Sequence, residues 1–125
     1  MQPMQHPSTV VRTYSTNTFG RAISAMGSHH FVVDHAVYQE GPGEQPGPID
    51  YFLSGLTACG VLMLERRARQ HGVPLDGIDV QVEAYRRETA EGPGPTTLKS
   101  VTVRFEFTGP TEGQAQELVD FYKRN

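Results

Sequence analysis

Residues 48–72 read PIDYFLSGLTACGVLMLERRARQHG, and they form the central element of the predicted fold. Pro48 suits the first turn of a helix, because its missing N–H would have no partner there. Asp50 follows where a negative charge offsets the positive end of the helix dipole, and Gly72 suits the position after the last turn. The pattern predicts one helix of about 24 residues, about 36 Å long.

The first two-thirds of this predicted helix is apolar nearly all round. From Tyr51 to Leu64 the chain carries no charge, so we expect the helix to be buried rather than amphipathic on a surface. The only cysteine of the chain, Cys59, lies in the middle of that run. A free cysteine in such a position is either a small packing residue or a reactive thiol, and the residues alone leave both interpretations open.

Length and composition exclude several classes of protein. With 125 residues and a net charge of −3, we expect one domain over residues 1–125, with a flexible start at residues 1–8. The charges form no basic stripe of the kind that binds nucleic acid. One cysteine excludes an internal disulfide framework, and an uncharged run of about 14 residues is too short to span a bilayer. Without a signal peptide at the start, we expect a soluble, cytoplasmic protein.

The elements around the helix follow from periodicity and turn residues. Three short strands joined by tight turns are predicted before the helix, at residues 9–16, 21–26 and 29–35. A Gly/Pro-rich loop over residues 40–48 leads into the helix, and two alternating strands follow it at residues 78–85 and 98–107, joined by a turn at residues 88–95. Thr111 and Gln114 form a capping-box signature for a final helix. The order β-β-β-α-β-β-α predicts an α+β fold.

The sequence GPIDYFLSGLTAC at residues 47–59 resembles the signature of the OsmC/Ohr family, in which the reactive cysteine lies on a long central helix. The turn FGRA at residues 19–22 is similar to the G-R-A turn of that family, and the element order matches along nearly the whole chain. The resemblance implies an OsmC-like fold, with antiparallel strands packed on a long central buried helix. It also implies an intertwined homodimer with active sites at the subunit interface.

The activity that the resemblance implies is a thiol-dependent peroxidase that reduces organic hydroperoxides or hydrogen peroxide in the response to oxidative stress. By motif position its catalytic residues are Cys59, Arg21 and Asp50, with no cofactor and no metal, and its reductant is an external thiol. The Ohr branch carries a glutamate directly after the proline, where this chain has Ile49, so the sequence is closer to the broader OsmC-like branches. In the family the resolving cysteine comes just after the last helix, and this sequence reaches Asn125 without it. Either the C-terminal part of the family fold lies beyond Asn125, or the protein has no resolving thiol of its own.

The chemistry constrains what must surround the cysteine. The thiolate is the nucleophile, and Cys59 lies too far inside the helix for the helix dipole to favour that form. A neighbouring cation is needed, and Arg21 is the candidate, with a carboxylate such as that of Asp50 to orient it.

Two other interpretations remain open to the sequence. One is a non-catalytic protein of the same fold that binds an apolar small molecule at the dimer interface, with Cys59 as a packing residue. The other is a metal site built from His29, His30 and His35. Adjacent residues of a strand point to opposite faces, so no metal site is expected there.

Overall fold

The structure is a computed structural model that describes residues 6–86 and 98–125. It contains five strands and two helices in the described residues, in the predicted order. They are β1 (Arg12–Ser15), β2 (Arg21–Met26), β3 (His29–Asp34), α1 (Pro48–His71), β4 (Gly77–Arg86), β5 (Leu98–Thr108) and α2 (Glu112–Arg124). The predicted α+β class is therefore confirmed, with every one of these elements found within a few residues of its expected bounds. The predicted turn at residues 88–95 lies outside the described residues.

The chain divides into two compact units, Met1–Tyr51 and Phe52–Asn125. The first unit is an antiparallel meander in which β2 pairs with both β1 and β3. Gly27 and Ser28 connect β2 to β3, and Gly27 has a φ of +56°, which the first central residue of a type II′ hairpin turn requires. This two-residue turn fixes the register, so that Met26 lies opposite His29 and Arg21 lies opposite Asp34.

The loop between β3 and α1 is folded back on the end of the meander. It contains a 3-10 turn at Val37–Gln39, which the sequence did not predict. The N–H of Gly41 donates to the carbonyl of Ala36, and a Cβ on Gly41 would collide with the carbonyl of His35. Only glycine therefore allows this close approach of the loop to the strand end.

The second unit has its core between the later part of α1, the β4–β5 pair and α2. Leu64, Ala68 and Leu118 are fully or almost fully buried there. Partly buried side chains from both strands and from α2 pack around them, among them Ile78, Phe105 and Tyr122. The helix α2 begins with the predicted capping box, since Thr111 and Gln114 exchange side-chain and backbone hydrogen bonds.

Within the second unit, the described residues leave one face of α1 uncovered. Phe52, Leu56, Cys59 and Leu62 are all exposed, at spacings of four, three and three residues that place them along one side of the helix. We call these four residues the open face. The expectation of a helix buried on every side therefore does not hold for one protomer, because the hairpin and α2 cover only the opposite side, where Leu64 and Ala68 lie.

Although α1 has 24 residues, no helix in the described residues combines the length and the apolar character needed to cross a membrane. Its second half carries Glu65 and three arginines, which accounts for this result.

Candidate active site

Arg21, the first residue of β2, is paired with Asp34, the last residue of β3. The two residues lie opposite each other in the antiparallel register. Nε of Arg21 donates to Oδ1 of Asp34 at 2.8 Å, and Nη2 donates to Oδ2 at 2.9 Å. This is the bidentate geometry in which a guanidinium and a carboxylate bind most strongly. A second carboxylate, that of Glu44, lies 3.6 Å from Nη2, and its side chain is largely exposed.

The carboxylate of Asp34 is the most connected polar group of the first unit. Its side chain is fully buried, and Oδ2 also accepts hydrogen bonds from the backbone N–H groups of Glu44 at 3.1 Å and Gln45 at 3.0 Å. The hydrogen bonds from Arg21 lower the pKa of Asp34 to about 2; burial raises it and the two backbone donors lower it further. Asp34 is therefore ionised at every pH where the protein would normally function.

Asp50, the predicted acidic partner, has a different contact in the structure. Its Oδ2 accepts the backbone N–H of Gly47 at 2.9 Å, so the carboxylate caps the chain at the start of α1. Such a charge in the first turn stabilises a helix by about 0.3–1 kcal/mol. Among the described residues, no hydrogen bond or ion pair joins Asp50 to Arg21. Its predicted catalytic role is not tested by this contact and stays a prediction.

The first turn of α1 is fixed to the meander by Tyr51. The hydroxyl of Tyr51 donates to the carbonyl of Val32 at 2.7 Å, and its ring stacks on Phe31 with 4.3 Å between centroids. The start of the helix is thus held against β3, the strand that also carries Asp34.

Beside Arg21 the first unit forms an open cleft of about 300 Å³. It is lined by residues of β1, the start of β2, the end of β3 and the first residue of α1: Thr13, Tyr14, Ser15, Gly20, Arg21, Ala22, Val33, His35 and Pro48. Apart from Arg21 and His35, this lining carries no ionisable side chain except the phenol of Tyr14, so the cleft suits a ligand with an apolar body.

Cys59 lies in the second unit, on the open face of α1. It is exposed, and within residues 52–86 and 98–125 its sulfur takes part in no hydrogen bond. Two open-face neighbours, Leu56 and Leu62, are apolar and also exposed. The thiol is therefore accessible to solvent in the single chain and surrounded on its own helix by hydrophobic side chains.

The three histidines of the metal hypothesis stay apart from any ligand set. His29 and His30 are exposed on β3 and His35 follows that strand. In the part of the chain that the structure describes, no group of three or more His, Cys, Asp or Glu side chains is placed to hold a metal ion.

Sequence reasoning missed Asp34, although the signal was present. If Gly27 and Ser28 form a two-residue turn, counting five residues back from Met26 and five forward from His29 places Arg21 opposite Asp34. An arginine and an aspartate facing each other across two strands form a favourable cross-strand pair. The resemblance instead implied Asp50, by its motif position at the start of the helix.

Comparison with known proteins identifies the family and the fold. The sequence profile of OsmC-like proteins matches residues 41–125. Comparison with curated protein sequences gives no match.

Several solved structures share the fold at low sequence identity. An OsmC-like protein from Mycoplasma pneumoniae is 16% identical with a TM-score of 0.79, over 97% of this chain and 84% of that one. An organic hydroperoxide resistance protein OsmC from Legionella pneumophila is 17% identical with a TM-score of 0.69, over 97% and 85% of the two chains. An OsmC-like protein of unknown function from Vibrio cholerae is 11% identical with a TM-score of 0.76, over 96% and 90%. The family profile covers well over half of the residues, and this chain therefore belongs to the OsmC-like protein family.

Proposed function

We propose that this protein is a thiol-dependent peroxidase that reduces organic hydroperoxides or hydrogen peroxide, with Cys59 as the attacking residue. The observation that carries the proposal is the position of the thiol, which is exposed on an apolar face of α1 in a chain of the OsmC-like family. Among the structural neighbours, the Legionella pneumophila protein is described as an organic hydroperoxide resistance protein.

The reaction needs only the thiol, the peroxide and a reductant. The thiolate sulfur bonds to one peroxide oxygen as the O–O bond breaks. The other oxygen leaves with the electron pair and takes a proton to become an alcohol or water. Cys59 is oxidised by two electrons to a sulfenic acid. Two thiol groups of an external reductant then restore the cysteine and release water and a disulfide.

We assign to Arg21 the positive charge that favours the thiolate and the departing oxygen. A guanidinium keeps its charge at all relevant pH values and carries five N–H donors in a fixed plane. Asp34 occupies two of these donors, and Nη1 makes no hydrogen bond with any described residue. Arg21 therefore retains donors for a peroxide oxygen while its position is held.

We further propose that the protein acts as a homodimer in which a second copy covers the open face of α1. Phe52 is 47% exposed and Leu62 is 66% exposed, and exposed apolar groups in one contiguous strip mark an interaction surface. An apolar cover would also exclude water from the thiol and accommodate the organic part of a hydroperoxide.

The test is hydroperoxide consumption by the purified protein with dithiothreitol as reductant. We expect Cys59→Ser to abolish consumption of both tert-butyl hydroperoxide and hydrogen peroxide. The matched control is Ala58→Ser, which adds a hydroxyl at the neighbouring exposed position and leaves the thiol in place. Unchanged consumption by Cys59→Ser would show that the assignment is wrong.

A second candidate function is the non-catalytic binding of an apolar small molecule at the dimer interface, with Cys59 as a packing residue. The cleft of about 300 Å³ beside Arg21 favours it, because its volume suits a small organic ligand. The rate of alkylation by iodoacetamide at pH 7 separates the two functions. A peroxidase thiol should react faster than free glutathione, whereas a packing cysteine under a second subunit should react more slowly.

A further inference from the structure

We propose that Asp34 is the positioning residue for Arg21, and that it ties the orientation of the guanidinium to the loop that precedes α1. The family motifs at residues 19–22 and 47–59 do not include this residue, and the resemblance implies the acidic role for Asp50. The effect on turnover rests on the proposed peroxidase function, whereas the effect on the arginine itself does not.

The geometry of the ion pair restricts the guanidinium of Arg21. Asp34 binds Nε and Nη2 of Arg21 at once, at 2.8 and 2.9 Å, so the guanidinium plane has little freedom to rotate. The residues that carry the two side chains are also paired in the β2–β3 ladder, which fixes both backbones. Because the Asp34 side chain is fully buried and that of Arg21 is 27% exposed, water cannot substitute for the carboxylate on its side of the arginine.

Asp34 also binds the loop that precedes α1. Oδ2 of Asp34 accepts the backbone N–H groups of Glu44 and Gln45, and the N–H of Asp34 itself donates to the carbonyl of Pro46 at 3.1 Å. Three consecutive loop residues are thus held by one aspartate. The helix begins two residues later, at Pro48. A change at position 34 therefore disturbs the arginine and the approach to α1 together.

These hydrogen bonds require a carboxylate at position 34. An asparagine of the same shape offers one acceptor oxygen and turns an N–H₂ group toward donors that are already present. The four part-buried hydrogen bonds from Arg21, Glu44 and Gln45 to the buried side chain of residue 34 cannot then all form, and losing bonds to a buried group is costly. Arg21 should take a new orientation or become mobile in such a variant. Misplacing a group that acts on the reacting atoms costs on the order of 10- to 100-fold in rate.

The experiment is a double-mutant cycle with Asp34→Asn, Arg21→Gln and both together, measured as kcat/KM for tert-butyl hydroperoxide. We expect Asp34→Asn to lower kcat/KM by about 10- to 100-fold. In the Arg21→Gln background, Asp34→Asn should lower kcat/KM hardly any further, because Asp34 then has no arginine to position. The matched control is Glu117→Gln, which removes a carboxylate 2.8 Å from Arg67 in the other unit and should leave kcat/KM unchanged.

A second measurement does not depend on activity. In the wild-type protein, the Nε–H of Arg21 should exchange with solvent more slowly in NMR spectra than that of Arg66, which is exposed at the end of the helix. In folded Asp34→Asn this protection should be lost. If that variant does not fold, the wild-type comparison alone decides, and exchange as fast as that of Arg66 overturns the proposal.

The outcomes separate this inference from the proposed function. Full activity in folded Asp34→Asn, or equal losses from Asp34→Asn in both backgrounds, overturns the positioning role and leaves the peroxidase intact. A wild-type protein without peroxidase activity removes the proposed function. In that case, slow exchange at Arg21 that is lost in Asp34→Asn still supports Asp34 as the residue that positions the arginine.

Discussion

Two leucines two residues apart on α1 offer a direct test of the homodimer. Leu64 is fully buried in the core of the second unit, whereas Leu62 is 66% exposed on the open face. We expect Leu64→Ala to lower the free energy of unfolding by about 2–5 kcal/mol, through lost burial and the cavity left behind. Fully burying a leucine stabilises by about 1.5–3 kcal/mol, so Leu62, one-third buried in the single chain, should contribute at most about 0.5–1 kcal/mol.

A second copy on the open face changes that expectation for Leu62. Covering the remaining two-thirds of the side chain adds about 1–2 kcal/mol per protomer, or about 2–4 kcal/mol for a symmetric dimer in which the contact occurs twice. Leu62→Ala should then raise the dissociation constant of the dimer by roughly 30- to 700-fold. Leu64→Ala, by contrast, should destabilise the protomer without acting on the interface directly.

The assays are sedimentation velocity over a range of protein concentrations and urea unfolding at a low and a high concentration. For a dimer, the unfolding midpoint of the wild type should rise with protein concentration, and Leu62→Ala should reduce this dependence. A wild type that sediments as a folded monomer at all concentrations would contradict the proposed homodimer. So would a Leu62→Ala variant with an unchanged dissociation constant.

Two further predictions concern stability. Thr111→Ala removes the side-chain cap of α2 and should cost about 1 kcal/mol in urea unfolding; a change near zero would mean that the capping box contributes nothing in solution. The pKa of Asp34 is about 2 in the folded chain, whereas the ordinary value for an aspartate is 3.8. The contribution of this carboxylate to the free energy of unfolding is therefore complete above pH 4 and is lost as the pH falls toward 2. Between pH 5 and pH 2, the free energy of unfolding should therefore fall less in Asp34→Asn than in the wild type. An equal fall in the two proteins would contradict the low pKa.

The elements of the fold were predictable because each has a local cause. Pro48 and Gly72 mark the ends of α1, and the structure gives the helix as Pro48–His71, with Gly72 at a φ of +67°. The capping residue Thr111 likewise precedes α2. The 3-10 turn at Val37–Gln39 was not predicted. Its hydrogen bonds, from the N–H of Gln39 to the carbonyl of Ala36 and from the N–H of Glu40 to the carbonyl of Val37, close one short turn that no periodic or capping pattern marks.

The candidate site was predicted only in part. The resemblance implied both Arg21 and Asp50, by motif position, whereas strand register places Asp34 opposite Arg21. The register of a two-residue turn would have identified Asp34, because pairing across a hairpin is set by counting. The two backbone donors to that carboxylate, from Glu44 and Gln45, lie in an irregular loop that no periodic pattern describes.

By itself the sequence determined the helix, the strands, their order and the family, because periodicity, caps and turn residues act over a few neighbouring positions. The tertiary structure was needed to show that the Asp34 carboxylate also binds the loop residues Glu44 and Gln45, and which side of α1 is left open. Both depend on contacts between residues that lie far apart in the chain. Asp34 binds the arginine because strand pairing places it there, while Asp50 is committed to the backbone at the start of its own helix.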